Sequence, residues 1–514
     1  NKTGANPFFI NQLLQTLYQE NLLRFDFTPF SSSNDKQKLQ GMWRWNIEEI
    51  QAIGITDKSV VDLVANRIKK LPESAQQVLQ LAACIGDNFT LDVLSIVHQK
   101  SLVSTAKELY AALQAGLILP LNEAYKIPLV FEEYGETSDS INYLKIPKAN
   151  FKDNFYQVSY RFLHDRVQQA AYSFILDSQK KETHLKIGQL LLKQTPPKLL
   201  SENILDIVNQ LNYGADLITE NYDKINQAKL NLTASRKAKA ATAYETAIKY
   251  LNISLELLTE DHWQSHYELV LDIYVEAAEV EYLYGNFDKS KKLGQLSLQK
   301  ANSVLEQIKI YKINIQSSIA QNCMSEALEI GIRALNILDI RLPAEPKINH
   351  LLTAVAHTKL SLLGKQTKDL VYLPRMTDSY KLAAIQILVL ITPAASMAGS
   401  LLLPLAVLSM VRLSAKHGNS DVSTYAYSLY GAMLCDKFGA IQEGYRFGQL
   451  GLSVLNNISA DLLKCKVFYV FNTMLRHFKE PLKLTIPLLQ EGIQNGLENG
   501  DIEFVGYSNW NLSN

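Results

Sequence analysis

Residues 156–176, YQVSYRFLHDRVQQAAYSFIL, decide how the chain is read. In the first half Val158, Tyr160 and Phe162 alternate with Ser159 and Arg161, the period-2 pattern of a half-buried strand. At His164-Asp165 the period changes. Val167, Ala171, Phe174 and Ile175 then fall at i, i+4, i+7 and i+8, one face of an amphipathic helix. Asp165 lies where the positive end of a helix dipole favours an acid. His164 is therefore expected at a strand-to-helix junction, beside the backbone N–H groups of a new helix, where a phosphate can be met. The plainer reading is that His164 only caps the helix.

Working upstream, Val60, Val61, Val64 and Ile68 form one helix face that stops at Leu71-Pro72. A second helix carries Val78, Leu79, Leu81 and Ala82 and ends near Gly86. Thr90 is placed to cap a third, with Val93, Leu94 and Val97. A fourth runs over about 104–115 and breaks at Gly116. Residues 117–121 read as a strand. An acidic loop with Glu132, Glu133, Glu136 and Asp139 follows, then a strand around 143–146. Helices, strand, wing, strand is the order of a winged helix. A DNA-reading version carries Lys and Arg on its recognition helix and wing. Here the third helix is TLDVLSIVHQK and the wing is acidic, which opposes attraction to phosphate.

The charge balance agrees. Lys+Arg and Asp+Glu both number 51, so nothing points to nucleic acid or an anionic membrane as partner. A length of 514 residues suggests about three domains, and 47% hydrophobic with 20% charged residues fits a globular protein. The four cysteines are far apart and form no CxxC, and no signal peptide opens the chain, so a reduced, cytoplasmic setting is expected. The chain starts at Asn1 without Met and ends inside an apparent repeat, so it is expected to be part of something longer.

Near the start, Asn6-Pro7-Phe8-Phe9 leads into a helical stripe of Ile10, Leu13, Leu14, Leu17 and Leu22. Pro7 suits a first helical position, where its missing N–H costs nothing. Trp43-Arg44-Trp45 follows a polar loop; on a strand the two tryptophans are expected in a core rather than on a binding face.

Beyond Lys181 no strand is expected, and Pro196-Pro197 marks a break. From Ala238 the pattern is that of tetratricopeptide-like helix pairs. Ala240, Ala243 and Ala247 are small where helices must pack closely, with Tyr244 and Tyr250 beside them. Turns are expected at Gly285-Asn286-Phe287, near Asn322-Cys323 and at Phe438-Gly439-Ala440, a loose period of about 40 residues. Between Lys381 and Arg412 there is no charge, a run long enough to cross a membrane. Pro393 and Pro404 divide it, with Thr392, Ser396 and Ser400 between, which favours buried repeat helices. His262-x3-His266 has metal-binding spacing, but no further ligand completes it, and a solvated helix face is the better reading. The sequence has no P-loop, G-x-G-x-x-G, kinase catalytic loop or DFG; Gly364-Lys365-Gln366-Thr367 is only an echo. Catalysis by this chain alone is not expected.

Three stretches carry a family resemblance. FLHDRVQQAAY (162–172) resembles the end of the winged-helix region in STAND signalling ATPases. More narrowly, it is similar to the ATPase module of large cyanobacterial-type hybrid kinases, whose chains run serine/threonine kinase, ATPase, helical repeats, GAF domain, histidine kinase. DKSVVDLVANRIKKLPESAQQVLQLAACIGDNF (57–89) looks like that family's regulatory winged helix, including AACIG. TGANPFFINQLLQTLYQENLLRFD (3–26) is similar to the lid helix after the nucleotide-binding core, where the motif is usually Gly-Asn-Pro with the proline near the adenine; Ala5 stands at the glycine position. A W-x-W-(D/N) element occurs at the Trp43–Trp45 point in those proteins.

The resemblance implies a mostly α fold: an ATPase lid remnant and winged helix followed by a tetratricopeptide-like α-solenoid. It implies a lid remnant over 1–56, a winged-helix-like domain over 57–180, connecting helices over 181–235, and repeats over 236–514, incomplete at the C-terminus. The implied function is a regulatory segment of a signal-transduction kinase, coupling the nucleotide state of a STAND ATPase to protein contacts of the repeats. A helical-repeat adaptor or ATPase-plus-repeat transcriptional regulator is the alternative. ATP or ADP with Mg is implied for the parent chain and no cofactor for this chain alone. His164 is implied as a latch on the β-phosphate of ADP, and Pro7 as a lid contact. The implied partners are other proteins and the parent's ATPase core and kinase domains, with no nucleic acid and no membrane span.

Overall fold

A computed structural model of the chain describes residues 7–19, 21–30, 38–52, 57–126, 128 and 158–513. Ala5, Asn6, the acidic loop around 132–139 and the strand expected around 143–146 lie outside the described residues, as do the side chains of Val60 and Val61. The described chain is mostly α-helical, as expected. It divides into two units, Asn1–Ala234 and Ser235–Asn514.

In the first unit, α1 (Pro7–Gln19) precedes a hairpin of β1 (Leu23–Phe30) and β2 (Lys38–Trp45), paired antiparallel from Leu23↔Trp45 to Phe30↔Lys38. Trp43 and Trp45 are not in a core: they are 46% and 58% exposed. A two-stranded hairpin has no second layer to bury both faces. Trp43 packs edge-on against Phe25 at 4.9 Å and Tyr18 at 6.1 Å. Trp43 and Tyr18 lie with Leu14, Leu23, Trp45 and Ile50 along an apolar groove.

After α2 (Ile47–Ala52) come α3 (Asp57–Lys69), α4 (Glu73–Ile85), β3 (Asn88–Thr90), α5 (Leu91–His98), α6 (Leu102–Gln114), β4 (Ile118–Pro120), β5 (Ser159–Phe162) and α7 (Asp165–Ser173). The three strands form an antiparallel sheet in the order β3-β5-β4, with Phe89↔Tyr160 and Leu119↔Arg161 in register. β5 is the central strand, which explains its alternation: Val158, Tyr160 and Phe162 are buried while Arg161 is exposed. Val64, Ile68, Leu79, Leu94 and Leu109 meet them in one core. β3 was not legible in the sequence. Thr90 does stand at the start of α5, but its side chain makes no capping hydrogen bond. The break after α6 is Gly116, at φ 65°, where L side chains are strained. Then follow α8 (Asp177–Gln194), α9 (Leu200–Tyr213) and α10 (Asn221–Ala240), with Pro196-Pro197 in the gap before α9.

The second unit continues with α11 (Tyr244–Leu257), the short α12 (His262–Ser265), α13 (Tyr267–Tyr284), α14 (Phe287–Lys300), α15 (Val304–Ala320), α16 (Met324–Ile337) and α17 (Ile348–Leu362). Thr242, Gly285 and Asn322 each hold positive φ between paired helices, about 40 residues apart. Ala240 and Ala243 flank the first of these turns and are exposed, so only Ala247 of the three alanines packs closely. At the second turn the buried Glu281 accepts from Asn286 at 2.6 Å and pairs with Lys289 at 2.6 Å.

The charge-free run forms α18 (Ser379–Leu390), α19 (Thr392–Met397) and α20 (Leu402–His417). Pro393 falls in the first turn of α19, a position proline tolerates. Ser379–Met397 is long and apolar enough to cross a membrane, but half of its most apolar window is buried. Ala384, Ile385, Leu388 and Ile391 are fully buried in the core of this unit. The last helices are α21 (Asp421–Phe438), α22 (Ile441–Ile458), α23 (Lys464–Val470), α24 (Thr485–Asn499) and α25 (Ile502–Ser513). The expected turn at Phe438-Gly439-Ala440 joins α21 and α22, with Gly439 at φ 62°. His262 is not on a solvated face. It is 2% exposed, and its Nδ1 accepts from Thr259 N–H at 2.8 Å, while His266 is exposed.

Candidate functional site

The chain delivers His164 from the central strand to the first turn of α7. The strand is fixed by its two neighbours, and α7 packs on both α3 and α4. His164 is half-buried, in extended backbone at φ −161°, and is the N-cap of α7. Its Nδ1 accepts from Arg166 N–H at 3.2 Å. A ring nitrogen that accepts carries no hydrogen, so in the neutral ring the N–H sits on Nε2.

Two backbone donors of the first turn are already engaged within the chain. Arg166 N–H is taken by the imidazole, and Val167 N–H binds His164 O at 2.8 Å. The capping role is therefore real, and it is made through Nδ1.

Pro7 is the first residue of α1 and is exposed. α1 and α7 both pack on α3, so the helices that begin at Pro7 and after His164 share a support. No group of three His, Cys, Asp or Glu suited to a metal occurs among the described residues.

The other end of α7 carries residues that sequence reasoning missed. Tyr172 Oη lies 2.9 Å from His184 Nε2 of α8 and 3.2 Å from Tyr213 Oη of α9. His184 Nδ1 meets Gln210 Oε1 at 2.6 Å, and Gln210 Nε2 donates to Cys84 O of α4 at 2.9 Å. The glutamine amide donates to the carbonyl, so its oxygen accepts from His184 Nδ1–H, and Tyr172 Oη–H donates to Tyr213 Oη. Burial lowers the His184 pKa below the usual histidine range, with the Gln210 bond acting partly against it. Tyr172 is in the quoted motif, but its partners are 12 and 41 residues away, and no local spacing announces them. The network ties α7 to α8, α9 and the end of α4.

No family model matches the chain. It is similar to hybrid signal transduction histidine kinase G of Dictyostelium discoideum, 26% identical over 560 aligned residues. That similarity takes in 99% of this chain and 16% of the relative, so the chain spans about a sixth of the relative's length. Among solved structures it is similar to a Signal Transduction ATPase with Numerous Domains (STAND) protein with a tetratricopeptide repeat sensor, from Pyrococcus horikoshii. There the identity is 12%, with 88% of this chain and 64% of that chain covered, at a TM-score of 0.36.

Proposed function

We propose that the chain is the regulatory and sensor segment of a multidomain signal-transduction kinase. It links the nucleotide state of a STAND-type ATPase to a helical-repeat array that contacts other proteins. Similarity to a hybrid signal transduction histidine kinase along 99% of the chain supports this. The order helix, strand, two helices, strand, strand, with the last strand central, fits a regulatory winged helix in the first unit. The apolar groove beside Trp43 and Trp45 suits packing against the nucleotide-binding core of the parent. Cys84 and Cys465 are buried free thiols whose pKa values burial pushes up to about 12 and about 11; inert thiols of this kind fit a reducing, cytoplasmic compartment.

In this reading His164 is a latch. Its Nε2–H donates to the β-phosphate of ADP and holds the winged helix closed, and Pro7 lies by the adenine. The observation that carries this is the Nδ1 contact to Arg166 N–H, which fixes the ring so that the other nitrogen is the donor. The latch works only if the contact is lost in the open form. One charge-assisted hydrogen bond of about 1.5–3 kcal/mol shifts a near-balanced switch roughly ten- to a hundredfold.

Extending the reading frame tests the assignment. A P-loop and kinase domain upstream, with GAF and histidine-kinase domains downstream, are expected. A C-terminal helix-turn-helix without kinase domains would overturn it in favour of a transcriptional regulator.

A further inference from the structure

The second unit holds a cavity of about 850 Å³, within the size range of small-ligand sites. It lies among α19, α20, α21, α23 and α25. Its floor is buried: Thr392, Val407, Tyr425, Val470 and Phe504 are each under a tenth exposed. Its mouth is apolar and adaptable, with Met397, Phe438, Met474, Phe478 and Tyr507 between 39% and 63% exposed. Methionine fills irregular contacts at low cost. The charge-free run and its two prolines now have a use, because Pro393 and Pro404 both line this cavity.

The wall itself is irregular. Residues Phe471–Leu475 form a π-helical turn, a rare conformation found most often at functional sites. It is held by Arg476, which donates to Asn472 Oδ1 at 3.1 Å and Leu484 O at 2.6 Å and pairs with Glu480 at 2.8 Å. The turn and the residues after it aim Met474, His477 and Phe478 at the cavity.

Hydrogen-bond accounting sets the chemistry of the floor. Thr392 Oγ1 donates its only hydrogen to Val389 O at 2.7 Å. Tyr425 is buried beside it on the same floor, and burial raises its phenol pKa. Thr392 therefore has no hydrogen left to give a carboxylate or phosphate. With Val407, Leu429, Val470 and Phe504 lining the cavity, the inserted part of a ligand is apolar. The charged lining residues are Asp436, Lys437 and Glu503, with His477 beside them. Lys437 is paired with Asp436 at 2.7 Å, and Glu503 accepts from Tyr507 at 3.1 Å. Two carboxylates, Asp436 and Glu503, stand against the one ammonium of Lys437, which disfavours an anionic head group.

We infer that this cavity is a binding site for a small amphiphile with an apolar body and a neutral or cationic head. The site is independent of the latch.

The test titrates the 514-residue chain with Nile red at pH 8, reading the rise and blue shift of its emission, and displaces the dye with dodecanol, dodecylamine and dodecanoate. Saturable dye binding is expected. Dodecanol and dodecylamine displace it, and dodecanoate requires about tenfold more, as one rim charge at close range dictates. Leu429→Trp fills the cavity from α21, and Ser396→Trp blocks it from an exposed rim position that leaves the core untouched. Both are expected to weaken dye binding by at least about tenfold, with wild-type circular dichroism confirming the fold. Dye binding unchanged in Ser396→Trp, equal displacement by the three amphiphiles, tighter binding of dodecanoate, or displacement by an amphipathic peptide alone would each overturn the inference.

Discussion

α21 and α22 pack backbone to backbone, and a single methyl group measures how closely. A Cβ added at Gly431 would stand 2.5 Å from Gly444 O and 3.0 Å from Gly448 N, both main-chain atoms of the facing helix. A backbone carbonyl cannot rotate away as a side chain can, so Gly431→Ala must push the helices apart. Phe447, Leu450 and Val454 of α22, all buried, would loosen with them. In an open helix the same change stabilises by about 1 kcal/mol, because alanine loses less backbone freedom than glycine. Overpacking a tight core costs about 1–3 kcal/mol, and an immovable neighbour puts this site at the upper end. The net expectation is a loss of about 1–2 kcal/mol. Gly506 in α25 is the control: it is exposed and an added Cβ there meets nothing within 4 Å, so Gly506→Ala should gain up to about 1 kcal/mol. Paired thermal melts followed by circular dichroism read both signs. A Gly431→Ala protein as stable as wild type, beside a stabilised Gly506→Ala, would refute close packing of this helix pair.

Three further outcomes follow from the same structure. Incubated with labelled ATP and magnesium, the purified chain should release no phosphate above a heat-killed control; turnover that persists through further purification steps contradicts the reading of its sequence. Because Ala384, Ile385 and Leu388 are buried within their own unit, the expressed chain should stay in the supernatant after carbonate washing, and recovery from the pellet only with detergent would place Ser379–Met397 in a membrane. His184 has a lowered folded-state pKa, so the unfolded chain binds its proton first as pH falls. Stability should therefore drop below the ordinary histidine range of about 6.5, by at most about 1.4 kcal/mol per pH unit, until the folded form is itself protonated. His184→Gln should flatten the pH 7-to-5 slope, and an unchanged slope would show that His184 is not the titrating group.

The strand-to-helix switch at His164 was legible because both periods are strong and adjacent: Tyr160 and Phe162 point into one core and Val167 and Ala171 into the same one. The repeat turns were legible wherever Gly or Asn supplied positive φ, as at Gly285, Asn322 and Gly439. Thr242 gives no such signal, which is why the first turn was misplaced onto packing alanines. β3 was missed because three residues carry too little pattern, and it forms only because β5 is there to pair with it. Trp43 and Trp45 were misassigned because composition says what a residue prefers, not whether a second layer exists to cover it. The His184 network joins residues 126 apart in sequence, and the cavity draws its lining from Leu351 through Tyr507; no local period encodes either.

The latch is tested most directly by ADP retention in the full-length parent carrying His164→Ala and, separately, His164→Asn. Alanine removes both the cap and the phosphate contact. Asparagine caps a helix as well as any residue but cannot place a donor where Nε2 stands, so it keeps the first role and loses the second. The account predicts that both variants release labelled ADP roughly ten- to a hundredfold faster, with raised basal kinase output, and that His164→Asn remains as stable as wild type. Wild-type ADP retention in a stably folded His164→Asn protein would contradict it, leaving His164 as the cap of α7 alone.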